Sequence, residues 1–272
     1  MRALAAVTLI AVTTTILPAT AGARQSDERS RCFAREGVSP EQKLAGCTAV
    51  IESGRQTRQG LVGAFNNRGN VHLSNRNYDR AIDDYNKAIR LDPKYAIGFN
   101  NRGLAYLRKG RTDRAIEDFD EAIRLNSKYA IAFVNRAAAY REKAQWDFDA
   151  YLAEGTYEDH AIRDLDKAIR LDPKNAIAFR NRGFVNTRMQ RYDRAIQDYD
   201  EAVRLDPTVA ASFSGRAYAL RFVGQYERAI ADYRKALSLQ LDDAGRRLIE
   251  KTLKQLGAAT ERDGTPTAVT KR

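Results

Sequence analysis

A 34-residue period governs what this chain can fold into. The segment "FNNRG" at Phe65 returns at Phe99, then as "FVNRA" at Phe133, "FRNRG" at Phe179 and "FSGRA" at Phe213, with spacings of 34, 34, 46 and 34 residues. Self-similarity at such a period means stacked copies of one supersecondary unit, because a unit this short buries its apolar face only against a neighbour. The third copy carries twelve residues more than the others.

Each copy has two blocks. Four residues after the Phe comes a small residue: Gly69, Gly103, Ala137, Gly183 or Ala217. The second block places Ala81, Ala115, Ala161, Ala195 and Ala229 four residues before a bulky apolar side chain (Tyr85, Phe119, Leu165, Tyr199, Tyr233), with another alanine three residues further on. Spacings of three and four mark one face of a helix, so each copy reads as two amphipathic helices whose small residues allow close approach. "LDP" closes three of the second helices, at Pro93, Pro173 and Pro207, where proline cannot continue a helix.

This order of aromatic, small residue, Ala, aromatic, Ala and Pro resembles the tetratricopeptide repeat. The resemblance implies an all-α fold, a right-handed superhelical solenoid of helix-turn-helix repeats with capping helices. The units are expected at 62–95, 96–129, 130–175, 176–209 and 210–243. Unit two ends in Asn126-Ser127 and unit five in Gln240-Leu241, both departures from the family's Asp-Pro. In this family the first helices line a concave groove that holds peptides or protein partners, and that is the function the resemblance implies here.

An arginine recurs where the family usually has leucine: Arg68, Arg102, Arg136, Arg182 and Arg216. An aspartate recurs just before the aromatic of the second helix: Asp84, Asp118, Asp164, Asp198 and Asp232. The two are 16 residues apart, or 28 in the long unit. Positions placed symmetrically about the turn of a helical hairpin lie side by side, which favours a charge-assisted pair within each unit. Pairing between adjacent units, or an arginine aimed into the groove, are the alternatives.

The ends have a different character. Residues 1–23 combine a basic start, the apolar run "LAAVTLIAV" and the small residues of "PATAGA", which together predict a cleavable signal peptide and a periplasmic or secreted destination. In such an oxidising compartment Cys32 and Cys47, the only cysteines, are expected to pair. A loop of about 15 residues closed in this way stabilises by roughly 3 kcal/mol. Two buried free thiols are the alternative. Residues 24–61 are expected to cap the array: Ser39-Pro40-Glu41-Gln42 opens a helix with Leu44, Cys47 and Ile51 on one face and Gly54 as its stop. A closing helix over 244–257 with Leu248, Leu253 and Leu256, stopped by Gly257, is expected to precede a disordered tail at 258–272.

Chemistry finds no foothold. His72 and His160 lack a recurring nucleophile or acid, and there is no metal-ligand spacing, phosphate-binding loop or nucleophile elbow. The expectation is a non-catalytic scaffold with no metal and no cofactor. Carrying the family's groove positions over gives a ladder of Asn67, Asn101, Asn135 and Asn181, broken at Gly215, whose amides suit an extended peptide backbone. Beside it fall Arg108, Arg141, Arg180, Arg188 and Arg221, which favour an acidic segment or a C-terminal carboxylate, unless these are ordinary solvated side chains. The long unit adds Trp146, Phe148, Tyr151 and Tyr157 among acidic residues, either a hairpin packing on itself or a surface that docks a partner or covers the groove. The formal net charge of +11 leaves a second class open, a basic adapter for an anionic polymer such as polysaccharide or nucleic acid.

Overall fold

The computed structural model describes residues 21–34, 36–144 and 156–262, with backbone alone for 21–26 and 258–262. All regular structure among the described residues is helical. Two leading helices, α1 (Ala21–Phe33) and α2 (Pro40–Glu52), precede five hairpins: α3 (Arg58–Ser74) with α4 (Tyr78–Leu91), α5 (Ala96–Arg108) with α6 (Thr112–Leu125), α7 (Ala130–Lys143) with α8 (Tyr157–Leu171), α9 (Ala176–Arg188) with α10 (Tyr192–Leu205), and α11 (Ala210–Phe222) with α12 (Tyr226–Leu237). The last helix is α13 (Asp243–Arg262). Each helix packs on its neighbours in sequence, so the hairpins stack into a solenoid.

The recurring spacing within a unit has a direct steric reason. A Cβ added to Gly69 would meet the Tyr85 ring at 2.7 Å, and one added to Gly103 would meet Phe119 at 2.8 Å. The small residue of the first helix is the seat for the bulky residue of the second. The bulky residues are fully buried in units one to three, as Tyr85, Phe119 and Leu165.

The second helices of units one to four end alike despite the departure in unit two, whereas α12 of unit five ends at Ser238 in the helical region. Asp92, Asn126, Asp172 and Asp206 each accept the backbone N–H two residues on, at 3.0–3.1 Å. Asn126 therefore makes the same turn as the aspartates, and unit two does not need its proline.

Turns within the hairpins require a left-handed residue. Arg76, Gly110, Gln190 and Gly224 occupy one position of the period with φ of 60°, 75°, 57° and 75°. At the matching place in unit three stands Ala144, with φ −59° and ψ −16°. The chain leaves the repeat there, which locates the start of the long unit's excess. Trp146, Phe148 and Tyr151 lie outside the described residues, and Tyr157 begins α8.

Both ends depart from the sequence expectation. The leading segment holds two helices where one was expected, and α1 begins at Ala21, inside the stretch read as signal peptide; residues 1–20 of that stretch lie outside the described residues. The expected capping box is present: Gln42 N–H donates to Ser39 Oγ at 3.2 Å, and Ser39 N–H donates to Gln42 Oε1 at 3.1 Å. Cys32 and Cys47 are joined and fully buried, with Cα atoms 4.5 Å apart. The closing helix runs through Gly257 to Arg262 rather than stopping there. A mid-helix glycine costs only about 1 kcal/mol, and the Ala-Ala-Thr-Glu-Arg that follows contains good helix formers. Its buried face is Ile249, Thr252 and Leu256, whereas Leu248 points outward at 66% exposure.

The curve of the solenoid follows from which helices meet. Successive first helices touch (α1 with α3, α3 with α5, α5 with α7, α7 with α9, α9 with α11), while among the described residues no pair of successive second helices makes a comparable contact. The first helices therefore form the inside of the curve.

Candidate functional site

The inner face carries two polar systems, and the arginines resolve first. Arg68, Arg102 and Arg136 each grip the aspartate of their own hairpin with Nε and Nη2 at 2.6–2.8 Å. Arg216 does the same with Asp232 at 2.7 Å, and Arg182 holds one oxygen of Asp198, whose other oxygen accepts from Asn186. The remaining Nη1 reaches back to the preceding unit: Asn86 for Arg102, Asp120 for Arg136, Asp166 for Arg182 and Asp200 for Arg216, at 2.6–2.7 Å. Arg68 reaches Thr48 of the leading pair.

Pairing within units and pairing between them are thus made by the same guanidinium. Each also lies over the preceding Phe of its motif, 5.4–5.6 Å from the ring centre. Burial opposes the charge of Arg102, Arg136 and Arg182, and the aspartate contacts override it, holding all three above arginine's usual range. These arginines are structural keys and do not face the groove as free cations.

The asparagines form a second system. Asn135 donates to Asn100, Asn100 to Asn101, Asn101 to Asn66, Asn66 to Asn67, and Asn67 to the carbonyl of Cys32, over 2.9–3.4 Å. All five amides point the same way, so the chain of bonds is polarised along the first three units. This corrects the expected peptide-facing ladder: the amides of Asn67, Asn101 and Asn135 are taken up by the neighbouring unit. Asn181 is the exception, since the place that would accept its N–H is Val134, and no hydrogen bond to it occurs among the described residues.

At Gly215 the reason for the break is visible. A Cβ there would lie 2.5 Å from the Tyr199 ring, so the tyrosine of unit four takes the space an asparagine would fill. Burial raises the Tyr199 hydroxyl to about 12, with a Thr187 hydrogen bond, Arg141 and Arg180 pulling it down and Asp198 pushing it up. It stays protonated at neutral pH.

Around Tyr199 and Gly215 the inner face opens into a cleft of about 740 Å³. Phe184, Tyr218, Tyr192 and Arg188 line it from units four and five, and Leu248, Ile249 and Thr252 close it from α13. Phe184 and Tyr218 are 38% and 43% exposed, which is unusual for aromatic side chains. The sequence reading missed them, although they share one column of the period with Asn70, Leu104 and Ala138. A row of exposed isoleucines, Ile97, Ile131 and Ile177, accompanies the first helices at one per unit.

The five groove arginines separate. Arg108 is exposed, and Arg188 is tied to Glu158 at 3.2 Å and so bridges units three and four. Arg141 stacks on Phe184 at 4.8 Å and Arg221 on Tyr218 at 6.0 Å. Burial lowers Arg141 below arginine's usual value; Glu142 opposes this, and Arg180 and Arg188 reinforce it. Among the described residues Arg141, Arg180 and Arg221 have no carboxylate within ion-pairing distance. His72 is buried beside Asp84, with Nε2 3.9 Å from Oδ2, and burial lowers its pKa. His160 stacks obliquely on Tyr140. Among the described residues no cluster of metal-ligating side chains occurs.

The stacked hairpins and inward-facing first helices define a helical-repeat solenoid of the kind that presents a concave binding face. Sequence models described as "Tetratricopeptide repeat" match residues 66–145, 176–209 and 210–243, and one described as "TPR repeat" matches 149–190. The chain belongs to the tetratricopeptide-repeat family. No curated protein sequence matches it. Its fold is similar to that of a thermophilic TPR protein of Thermus thermophilus (TM-score 0.60, 21% identity, 73% of this chain and 100% of that one). It is also similar to PilF of Pseudomonas aeruginosa (0.63, 19%, 76% and 93%). A third is YrrB, described as a TPR protein with an unusual peptide-binding site (0.52, 20%, 75% and 97%). Repeats of this family are generally non-catalytic scaffolds that bind protein or peptide partners. Among the described residues no helix is long and apolar enough to cross a membrane.

Proposed function

We propose that this protein is an exported, non-catalytic scaffold that holds an extended segment of a partner protein along the inside of its solenoid, chiefly against units four and five. The observation that carries this reading is the open cleft beside Gly215, with exposed aromatic walls, Arg221 in its lining and Arg141 stacked on its Phe184 wall, neither arginine having a carboxylate within ion-pairing distance among the described residues. The leader at residues 1–23 and the Cys32–Cys47 bond support export to an oxidising compartment. N-terminal sequencing of the protein recovered from periplasm tests that part, with cleavage expected after Ala21 or Ala23. Saturable binding of a peptide selected from a displayed random library, lost in Tyr218→Ala and kept in the exposed control Arg204→Ala, is the expected result for the groove. The net charge of +11 favours one second reading, an adapter for anionic polymers. Equal binding of DNA and sulfated polysaccharide, falling steeply with salt and with no saturable peptide, would put that reading in place of the first.

A further inference from the structure

Three arginines in and beside the cleft pose a problem that the scaffold does not solve: Arg221 lines it, Arg141 stacks on its Phe184 wall, and Arg180 acts on the Tyr199 hydroxyl within it. Arg68, Arg102, Arg136, Arg182 and Arg216 each meet a carboxylate. Arg141, Arg180 and Arg221 come from three successive units and meet none among the described residues, yet all three are at least half covered. Like charges gathered at a partly desolvated site repel one another more strongly than in water, and a bound anion relieves that cost.

Their placement says what kind of anion. Arg141 and Arg221 cap two different rings, Phe184 and Tyr218, that belong to adjacent units. Arg141 and Arg180 act on each other, whereas Arg221 sits at Tyr218 of the next unit, so the three offer two anchoring points rather than one. Phe184 and Tyr218, which wall the cleft, each carry one of these cations, and its volume of about 740 Å³ admits several side chains. Tyr199 and Thr187 line the same space.

We infer that units three to five recognise an internal acidic segment of a partner protein, with two carboxylates held by Arg141, Arg180 and Arg221 and an aromatic or aliphatic side chain between them seated on Phe184 and Tyr218. This rests on the groove reading above and names the chemistry of its partner. Arginine is suited to the task because its planar fork pairs with a carboxylate while its face stays on an aromatic ring.

The test uses the full chain and a fluorescein-labelled peptide of alternating glutamate and phenylalanine, blocked at its C-terminus as an amide, read by fluorescence anisotropy. Binding is expected to weaken at least tenfold when glutamine replaces glutamate, and likewise in Arg180→Glu and in Phe184→Ala. Arg204→Glu, which makes the same charge change at an exposed side chain of α10, is expected to bind as the parent does. Circular dichroism melts of each variant separate misfolding from lost binding, and Arg141→Lys, which keeps the charge but not the fork, provides a second reading if Arg180→Glu fails to fold.

Equal loss in Arg204→Glu would overturn the inference in favour of diffuse charge. Binding that needs a free C-terminal carboxylate and ignores the glutamates would overturn the choice of an internal segment. Peptide binding lost on replacing Ile97 and Ile131 but indifferent to Arg180 would leave the groove reading standing without this subsite. No binding of any peptide would remove both.

Discussion

Units one to three and units four and five use the same period to opposite ends. In the first group the inner face is closed on itself: five asparagine amides run from Asn135 to the carbonyl of Cys32, each taken up by the next. In the second group the same columns hold Arg180, Asn181, Ser214 and Gly215, and beside them Phe184 and Tyr218 wall an open cleft. The arginine-aspartate keys run through both halves, with the one variation that Arg182 holds a single oxygen of Asp198 and Asn186 takes the other. A solenoid can thus keep one stabilising lattice throughout and vary a neighbouring column to decide where a surface is left unsatisfied.

The largest effect expected concerns what the halves share. Arg102→Ala leaves Asp118 buried without its cation and frees Asn86, and removal of one partner from a buried pair costs roughly 3–5 kcal/mol. The double change Arg102→Leu with Asp118→Leu is expected to lose much less, and urea unfolding of the two proteins decides this. Equal losses would mean that the pair is not the stabilising unit.

Completing the asparagine column probes what the halves do not share. Gly215→Asn drives a side chain into the Tyr199 ring, and overpacking of this kind costs about 1–3 kcal/mol. Adding Tyr199→Leu, which copies Leu165 of unit three, is expected to recover most of the loss while filling the cleft. If Gly215→Asn alone is neutral in a thermal melt, the tyrosine does not account for the break.

A smaller contrast compares the amides directly. Asn100→Ala removes the middle of the bonded chain and is expected to cost about 1–3 kcal/mol, because Asn135 and Asn101 lose a partner. Asn181→Ala is expected to fall within about 0.5 kcal/mol of the parent. Similar values for both would dissolve the distinction between a closed and an open half.

The smallest effect has the opposite sign. Gln190 holds φ 57° where Gly110 and Gly224 hold 75°. Gln190→Gly is expected to stabilise by about 1 kcal/mol, since the left-handed conformation costs an L-residue that much. For a chain of this size the gain corresponds to a rise of about 2–4 °C in the melting midpoint. A fall would show that the glutamine side chain, at the mouth of the cleft, contributes more than its backbone costs.

Much of the molecule was legible in advance because a repeat reports its own geometry. A constant separation between Arg and Asp survives only if the two positions meet, and the extra 12 residues of unit three lie inside that separation, widening it from 16 to 28 without disturbing the pair. The capping box at Ser39 and the disulfide were likewise local matters of residue type and compartment. The role of Asn101 was not legible, since an amide on an inner face can turn to a ligand or to its neighbour, and the choice depends on whether Asn66 stands within reach. Leu248 was misplaced for a related reason: the apolar spacing of α13 admits two faces, and only the surface of unit five selects Ile249.

From the sequence alone come the period, the helix pairs, the seats for the bulky residues and the Arg–Asp keys, all of which follow from the register of one unit or of two consecutive ones. The tertiary structure alone decided that each key also locks the preceding unit, that the asparagines are consumed by the lattice, and that α13 closes a cleft against Phe184 and Tyr218. Those outcomes depend on how far and at what angle one hairpin lies from the next, a quantity set by packing across units rather than by spacing along the chain.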